Sequence, residues 1–219
     1  MKQTMAFHPF VLTFVLLALF TRSLAEDTEV TDVTYGSTIK LEHVSTKHRL
    51  HSHEVKYVTG SQQQSVTAVS DTADSNSLWT VKNAHQADPI MPGTPVLCGH
   101  TIRLQHLRTG KNLHSHKHRA PLNGDYEVSA FGELTGRWSD GDKGDNWTIE
   151  CTTGSGPWKR GANVRLRHVD TGTLLSSNSN LKFRQPIPDQ QQVSASSWKK
   201  TNTLWKTGEG FYIAPPSAK

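Results

Sequence analysis

The residues best suited to chemistry are two histidine pairs, "LHSH" at Leu50–His53 and again at Leu113–His116. Two imidazoles one residue apart could ligate a metal or share a proton, because neutral imidazole is both a common ligand and a base near pH 7. The corresponding stretch in the last third reads "LLSSN", Leu174–Asn178, without a histidine. In an extended strand residues two apart share a face. His51 and His53 should therefore lean together to one side, as should His114 and His116, with Leu50, Leu113 and Leu175 packing on the other. Each pair alone falls short of the three or four protein ligands of a zinc site. The reading is no metal and a structural role by default, with His51, His53, His114 and His116 as the candidate partner-contact face.

A second set, His43, His106 and His168, occurs once per third of the chain on an apolar strand face. A trio on an axis could hold zinc, but no carboxylate stands beside each to orient it. Buried imidazoles hydrogen-bonded to backbone carbonyls are the expectation. The acidic turn containing Asp140, Asp142 and Asp145 lacks the terminal glutamate of a calcium loop at the right spacing and reads as solvated. No nucleophile elbow, H-E-x-x-H or phosphate loop occurs, so no catalytic residue, metal or cofactor is assigned.

What positions these residues is a threefold repeat. "IKLEHVSTKHRLHSH" begins at Ile39, "IRLQHLRTGKNLHSH" at Ile102 and "VRLRHVDTGTLLSSN" at Val164. Each copy goes on to "SVTA", "EVSA" or "QVSA" and closes on Trp79, Trp147 or Trp205. Ile39, Leu41 and His43 alternate with Lys40 and Glu42, the period of a strand. "RTG" and "DTG" supply the turns that follow. Three copies are too few for a propeller, and closure about a pseudo-threefold axis buries one shared core. The fold is read as all-β, a β-trefoil of about four strands per copy. Its joints are the Pro/Gly-rich stretches Asn83–Val96 and Thr152–Gly161.

Residues 1–25 have the layout of a secretory signal peptide: Lys2, the apolar run Phe10–Phe20, and small residues before Glu26. That run is too short to span a bilayer, and 26–219 is read as one domain with no membrane span. Without Lys2 and Arg22 the chain keeps 22 basic against 19 acidic residues, scattered rather than clustered. This gives no nucleic-acid footprint. Cys98 and Cys151 bracket the entry and exit strands of the second copy and are expected to form a disulfide in an oxidising compartment. Asn146 in "NWT" is a candidate glycosylation site.

Each copy resembles a MIR motif, the module of protein O-mannosyltransferases and of inositol-trisphosphate and ryanodine receptors. "YGSTIKLEH", "RLHSHEVKY", "QQSVTAV", "DSNSLW", "GKNLHSH" and "EVSAFGE" resemble the stromal cell-derived factor 2 family more closely still. The resemblance implies three MIR repeats at about 30–84, 93–152 and 154–210. It also implies a non-catalytic protein of the endoplasmic reticulum lumen that works with a lumenal J-domain (Hsp40) co-chaperone and Hsp70 on unfolded secretory proteins. Secretion is the alternative location, because "APPSAK" is not a KDEL-type tail. The alternative function is a glycan- or O-mannosyl-peptide-binding trefoil, with Trp138 near Asp140 and Trp158 near Lys159 as candidate aromatic platforms.

Overall fold

The computed structural model describes residues 30–132 and 141–216. Trp138 and Asp140, and the leader 1–25, lie outside the described residues. The first copy contributes β1 (Thr38–His43), β2 (Arg49–Lys56), β3 (Gln64–Val69) and β4 (Trp79–Asn83). The second contributes β5 (Thr101–His106), β6 (Asn112–Arg119), β7 (Tyr126–Phe131) and β8 (Trp147–Cys151). The third contributes β9 (Val164–His168), β10 (Leu174–Lys182), β11 (Gln191–Ser196) and β12 (Trp205–Phe211). A short 3-10 turn precedes each closing tryptophan, at Ser75–Ser77, Lys143–Asp145 and Thr201–Thr203.

The first and last strands of each copy build a closed ring. Between copies β4 pairs with β5, β8 with β9, and β12 returns to β1, all antiparallel. Within copies Ile39 faces Trp79 and Ile102 faces Trp147, while Val164 faces Trp205. The middle strands form hairpins β2–β3, β6–β7 and β10–β11, and β3, β7 and β11 pair with one another in a triangle that caps the ring. Closure leaves no ring edge free for pairing with another chain. This is the β-trefoil expected from the repeat. Among the described residues no helix is long and apolar enough to cross a membrane.

The core takes the same residue from each copy: Leu50, Leu113 and Leu175 are fully buried, as are Ile39, Ile102 and Val164, and Trp79, Trp147 and Trp205. Burying a bulky apolar side chain contributes roughly 1.5–3 kcal/mol. The indoles also need a partner for their N–H once water is excluded. Trp79 Nε1 donates to Leu50 O at 2.9 Å, Trp147 Nε1 to Leu113 O at 2.9 Å and Trp205 Nε1 to Leu175 O at 3.0 Å. The tryptophan thus locks the hairpin of its own copy onto the ring. Trp158 is also fully buried, so it offers no platform to a sugar.

Cys98 and Cys151 are joined as a disulfide with Cα atoms 5.5 Å apart. The bond lies beside the β5–β8 pairing, where Thr101 faces Thr148. Asn146 caps the second 3-10 turn, half-buried, and its Oδ1 accepts from the His85 N–H at 2.8 Å.

Candidate functional site

His43, His106 and His168 are fully buried and do not meet on the axis. Each stands at a joint between copies and packs on the tryptophan of the preceding copy. Ring centroids are 4.9 Å apart for His43–Trp205, 5.0 Å for His106–Trp79 and 4.9 Å for His168–Trp147. Nε2 of each faces a carbonyl of the preceding 3-10 turn: Asn202 at 2.9 Å, Asn76 at 2.9 Å and Gly144 at 2.8 Å. A carbonyl only accepts, so Nε2 carries the proton and Nδ1 accepts from the hydroxyl of Thr46, Thr109 or Thr171. These rings are neutral structural pins. Burial lowers all three pKa values, against the raising effect of the carbonyl bond.

The "LHSH" pairs depart from expectation. His51 and His114 are not outward-facing; each is only 5% exposed. The first four residues of β2, β6 and β10 are buried on both faces. The core lies on the leucine side, and in each copy the 3-10 turn before the tryptophan packs on the strand from the other. Beyond that point each hairpin has a register irregularity, between Ser52 and Lys56, Ser115 and Arg119, and Ser177 and Lys182. The strand there leaves the core, so His53 and His116 are only half-buried. The second histidine of each pair is the more exposed one, and His114 is approached only through a cleft.

The turn that covers the first histidine also supplies its acid. In copy one the His51 Nδ1–H donates to Asp74 Oδ2 at 2.7 Å, and Ser77 Oγ donates to the same oxygen at 2.6 Å. His51 Nε2 then lies 3.1 Å from His53 Nδ1, with the rings edge to face. Because His51 spends its proton on Asp74, His53 donates from Nδ1. That leaves His53 Nε2 as a buried acceptor without a partner among the described residues. Burial first, then the neighbouring His51, lowers the His53 pKa to about 4.

In copy two the His114 Nδ1–H donates to Asp145 Oδ1 at 2.9 Å, and Asp142 Oδ1 lies 3.5 Å from the same nitrogen. Asp145 is fully buried; its Oδ2 accepts from Asn112 Nδ2 at 3.1 Å and from the Asp142 N–H at 3.0 Å. Asp142 Oδ1 accepts from the Gly144 N–H at 2.8 Å, completing a capping box on the turn. Burial pushes the Asp145 carboxyl up, against the pull of His114. His116 Nε2 donates to Glu127 Oε1 at 3.0 Å. Beside His114 and His116 a cleft of about 540 Å³ is lined by Lys117, Asp142, Lys143 and Asp170.

Copy three explains the missing pair. Five residues before each closing tryptophan stand Asp74, Asp142 and Lys200; two before it stand Ser77, Asp145 and Thr203. The copy without histidines is also the copy without acids, and Ser176 pairs with Ser194 Oγ at 3.2 Å instead. The unit is a histidine–carboxylate clamp, kept or dropped whole. Sequence reasoning missed Asp74 and Glu127 as partners and took Asp142 and Asp145 for a solvated turn. The signal that could have found the two turn acids was their fixed distance from tryptophan in just the two copies that carry "LHSH".

A closed all-β ring of three repeats, pinned by His–Trp contacts and carrying polar clefts between copies, defines a β-trefoil of the MIR class. The MIR domain matches residues 49–205. A stromal cell-derived factor 2-like protein of Dictyostelium discoideum is 46% identical over 191 residues, 86% of this chain and 87% of the relative. The crystal structure of the SDF2-like protein of Arabidopsis thaliana superposes with a TM-score of 0.79 at 42% identity, over 85% of this chain and 99% of that one. This chain belongs to the stromal cell-derived factor 2 family. The Pmt1–Pmt2 protein O-mannosyltransferase complex of S. cerevisiae, bound to its sugar donor, contains a similar region: TM-score 0.71 and 30% identity, over 86% of this chain and 28% of that one.

Proposed function

We propose that the protein is a non-catalytic adaptor of the endoplasmic reticulum lumen that joins a J-domain co-chaperone and Hsp70 in the folding of secretory proteins. The observation carrying this reading is family membership along the whole fold, since the chain covers 87% of the length of a relative and 99% of a family crystal structure. The residues support it. The histidines that could have formed a catalytic set serve as pins and clamps, with their protons committed to carbonyls, carboxylates and, for His53, the neighbouring imidazole. The hairpin tips form a groove of about 180 Å³ lined by Tyr57, Val58, Leu122, Phe183 and Pro186, with Lys56 and Arg184 beside it. Val58 is 87% exposed at its edge. Such a surface suits an extended apolar segment better than a small polar substrate. Affinity purification of the tagged full-length protein from the secretory pathway should recover a J-domain protein and an Hsp70. Recovery of neither overturns the reading.

The likeness to a region of an O-mannosyltransferase favours a second reading, a glycan- or O-mannosyl-peptide-binding trefoil. The clefts between copies are polar, as a sugar would require. Binding to mannosyl peptides on an array, with no chaperone recovered, would replace the first reading by this one.

A further inference from the structure

We propose that His114, Asp142 and Asp145 form a divalent metal site, for a cation such as Zn²⁺ that accepts mixed nitrogen and oxygen donors. Two features that are each inadequate in sequence become one in space. A histidine pair has too few ligands, and an acidic turn lacks a terminal glutamate. Folding brings Asp145 Oδ1 to 2.9 Å and Asp142 Oδ1 to 3.5 Å from His114 Nδ1. The three donor atoms all lie within 4.8 Å of one another. Donors at about 2.1 Å from a tetrahedral zinc are separated by roughly 3.4 Å. The buried pair is already close to that spacing. The remaining adjustment falls to Asp142, whose side chain is 40% exposed and has room to turn.

The arrangement has what an exchangeable site needs. Asp145 is held by Asn112 and by the Asp142 N–H, which keep one carboxylate oxygen aimed at the imidazole. Such outer contacts orient ligands and raise affinity. Three protein donors leave one position open, and the neighbouring cleft of about 540 Å³ gives water or a partner's oxygen access to it. Two ammoniums, Lys117 and Lys143, also line that cleft. They are set against three carboxylates, Asp142, Asp145 and Asp170, so the local balance still favours a cation. On binding, the imidazole proton moves from Nδ1 to Nε2, and the freed Nδ1 lone pair goes to the metal.

The other copies serve as internal comparisons. Copy one offers His51 and Asp74 but has Ser77 where copy two has Asp145. Copy three offers Ser176, Lys200 and Thr203. One metal per chain is therefore expected.

The test is calorimetric titration of ZnCl₂ into the metal-stripped, signal-cleaved protein, alongside Asp142→Asn and a His116→Ala/His118→Ala double variant. Asparagine retains an oxygen for the Gly144 N–H, so Asp142→Asn should keep the fold, checked by its denaturation midpoint. One-to-one binding, weakened at least tenfold in Asp142→Asn and kept in the double variant, is the expected result. A shift of the His114 ring signals on adding Zn²⁺ would accompany it. Binding unchanged in Asp142→Asn but lost in the double variant would overturn the site, assigning the metal to the row His114–His116–His118 along β6. Absence of binding at millimolar Zn²⁺ would overturn it outright.

Discussion

The ring of His43 packs on the indole of Trp205 with centroids 4.9 Å apart, joining the first strand of the trefoil to its last. The same contact joins copy one to two and two to three, but only this one closes the ring. Its Nε2–H satisfies the Asn202 carbonyl, a group that the short turn cannot satisfy internally.

Replacing any of these pins should destabilise the whole domain. In His43→Leu a buried carbonyl and the Thr46 hydroxyl lose their partner, at a cost of about 1–3 kcal/mol. His106→Leu and His168→Leu should cost similar amounts, because their environments repeat. Urea denaturation of the three variants checks this, and a loss confined to His43→Leu would show that the copies are not equivalent.

Acid should weaken the fold before the carboxylates titrate. Burial lowers the pKa of His43, His106, His168 and His53 in the folded protein, so the unfolded chain, with histidines near 6.5, binds protons first. Their contribution is full above about pH 6.5 and is lost progressively as pH falls below it, in the case of His53 down to about 4. The urea midpoint should drop between pH 7.5 and pH 5. His53→Gln should flatten the fall, and a midpoint that rises on acidification would contradict the assignment of neutral rings.

Reducing the disulfide should lower stability without changing the fold. Cys98 and Cys151 are 53 residues apart in sequence, and closing a loop of that length contributes about 4 kcal/mol in the chain-entropy account. The Cys98→Ser/Cys151→Ser protein should keep its circular dichroism spectrum and melt earlier, because β5 still pairs with β8.

The clamp of copy two should reject a methyl group at Gly144. A Cβ there would collide with the buried His114 ring at Cε1 and lie 2.9 Å from its Nδ1, closer than packing allows, and would press on Asp142 Oδ1 at 3.0 Å. Gly144→Ala should cost about 1–3 kcal/mol, whereas Gly124→Ala, with nothing within 4 Å, should be near neutral. Their denaturation midpoints make the comparison.

Much of this protein is determined by its sequence alone. The threefold recurrence of Ile/Val, Leu, His and Trp gives a closed all-β ring, because no single copy can bury its apolar face and three together can. Strand alternation correctly places Leu50, Leu113 and Leu175 in the core, and position alone brings Cys98 and Cys151 together. Tertiary structure decided the chemistry of the histidines. Alternation says which face a side chain takes but not what covers that face. The outer side of His51 and His114 is closed by a turn from the end of the same copy, more than twenty residues on. That turn supplies Asp74 in one copy and Asp142 with Asp145 in another. Local periodicity carries no information about such a contact. Only folding turns an outward pair into a buried clamp and two unconvincing motifs into one site.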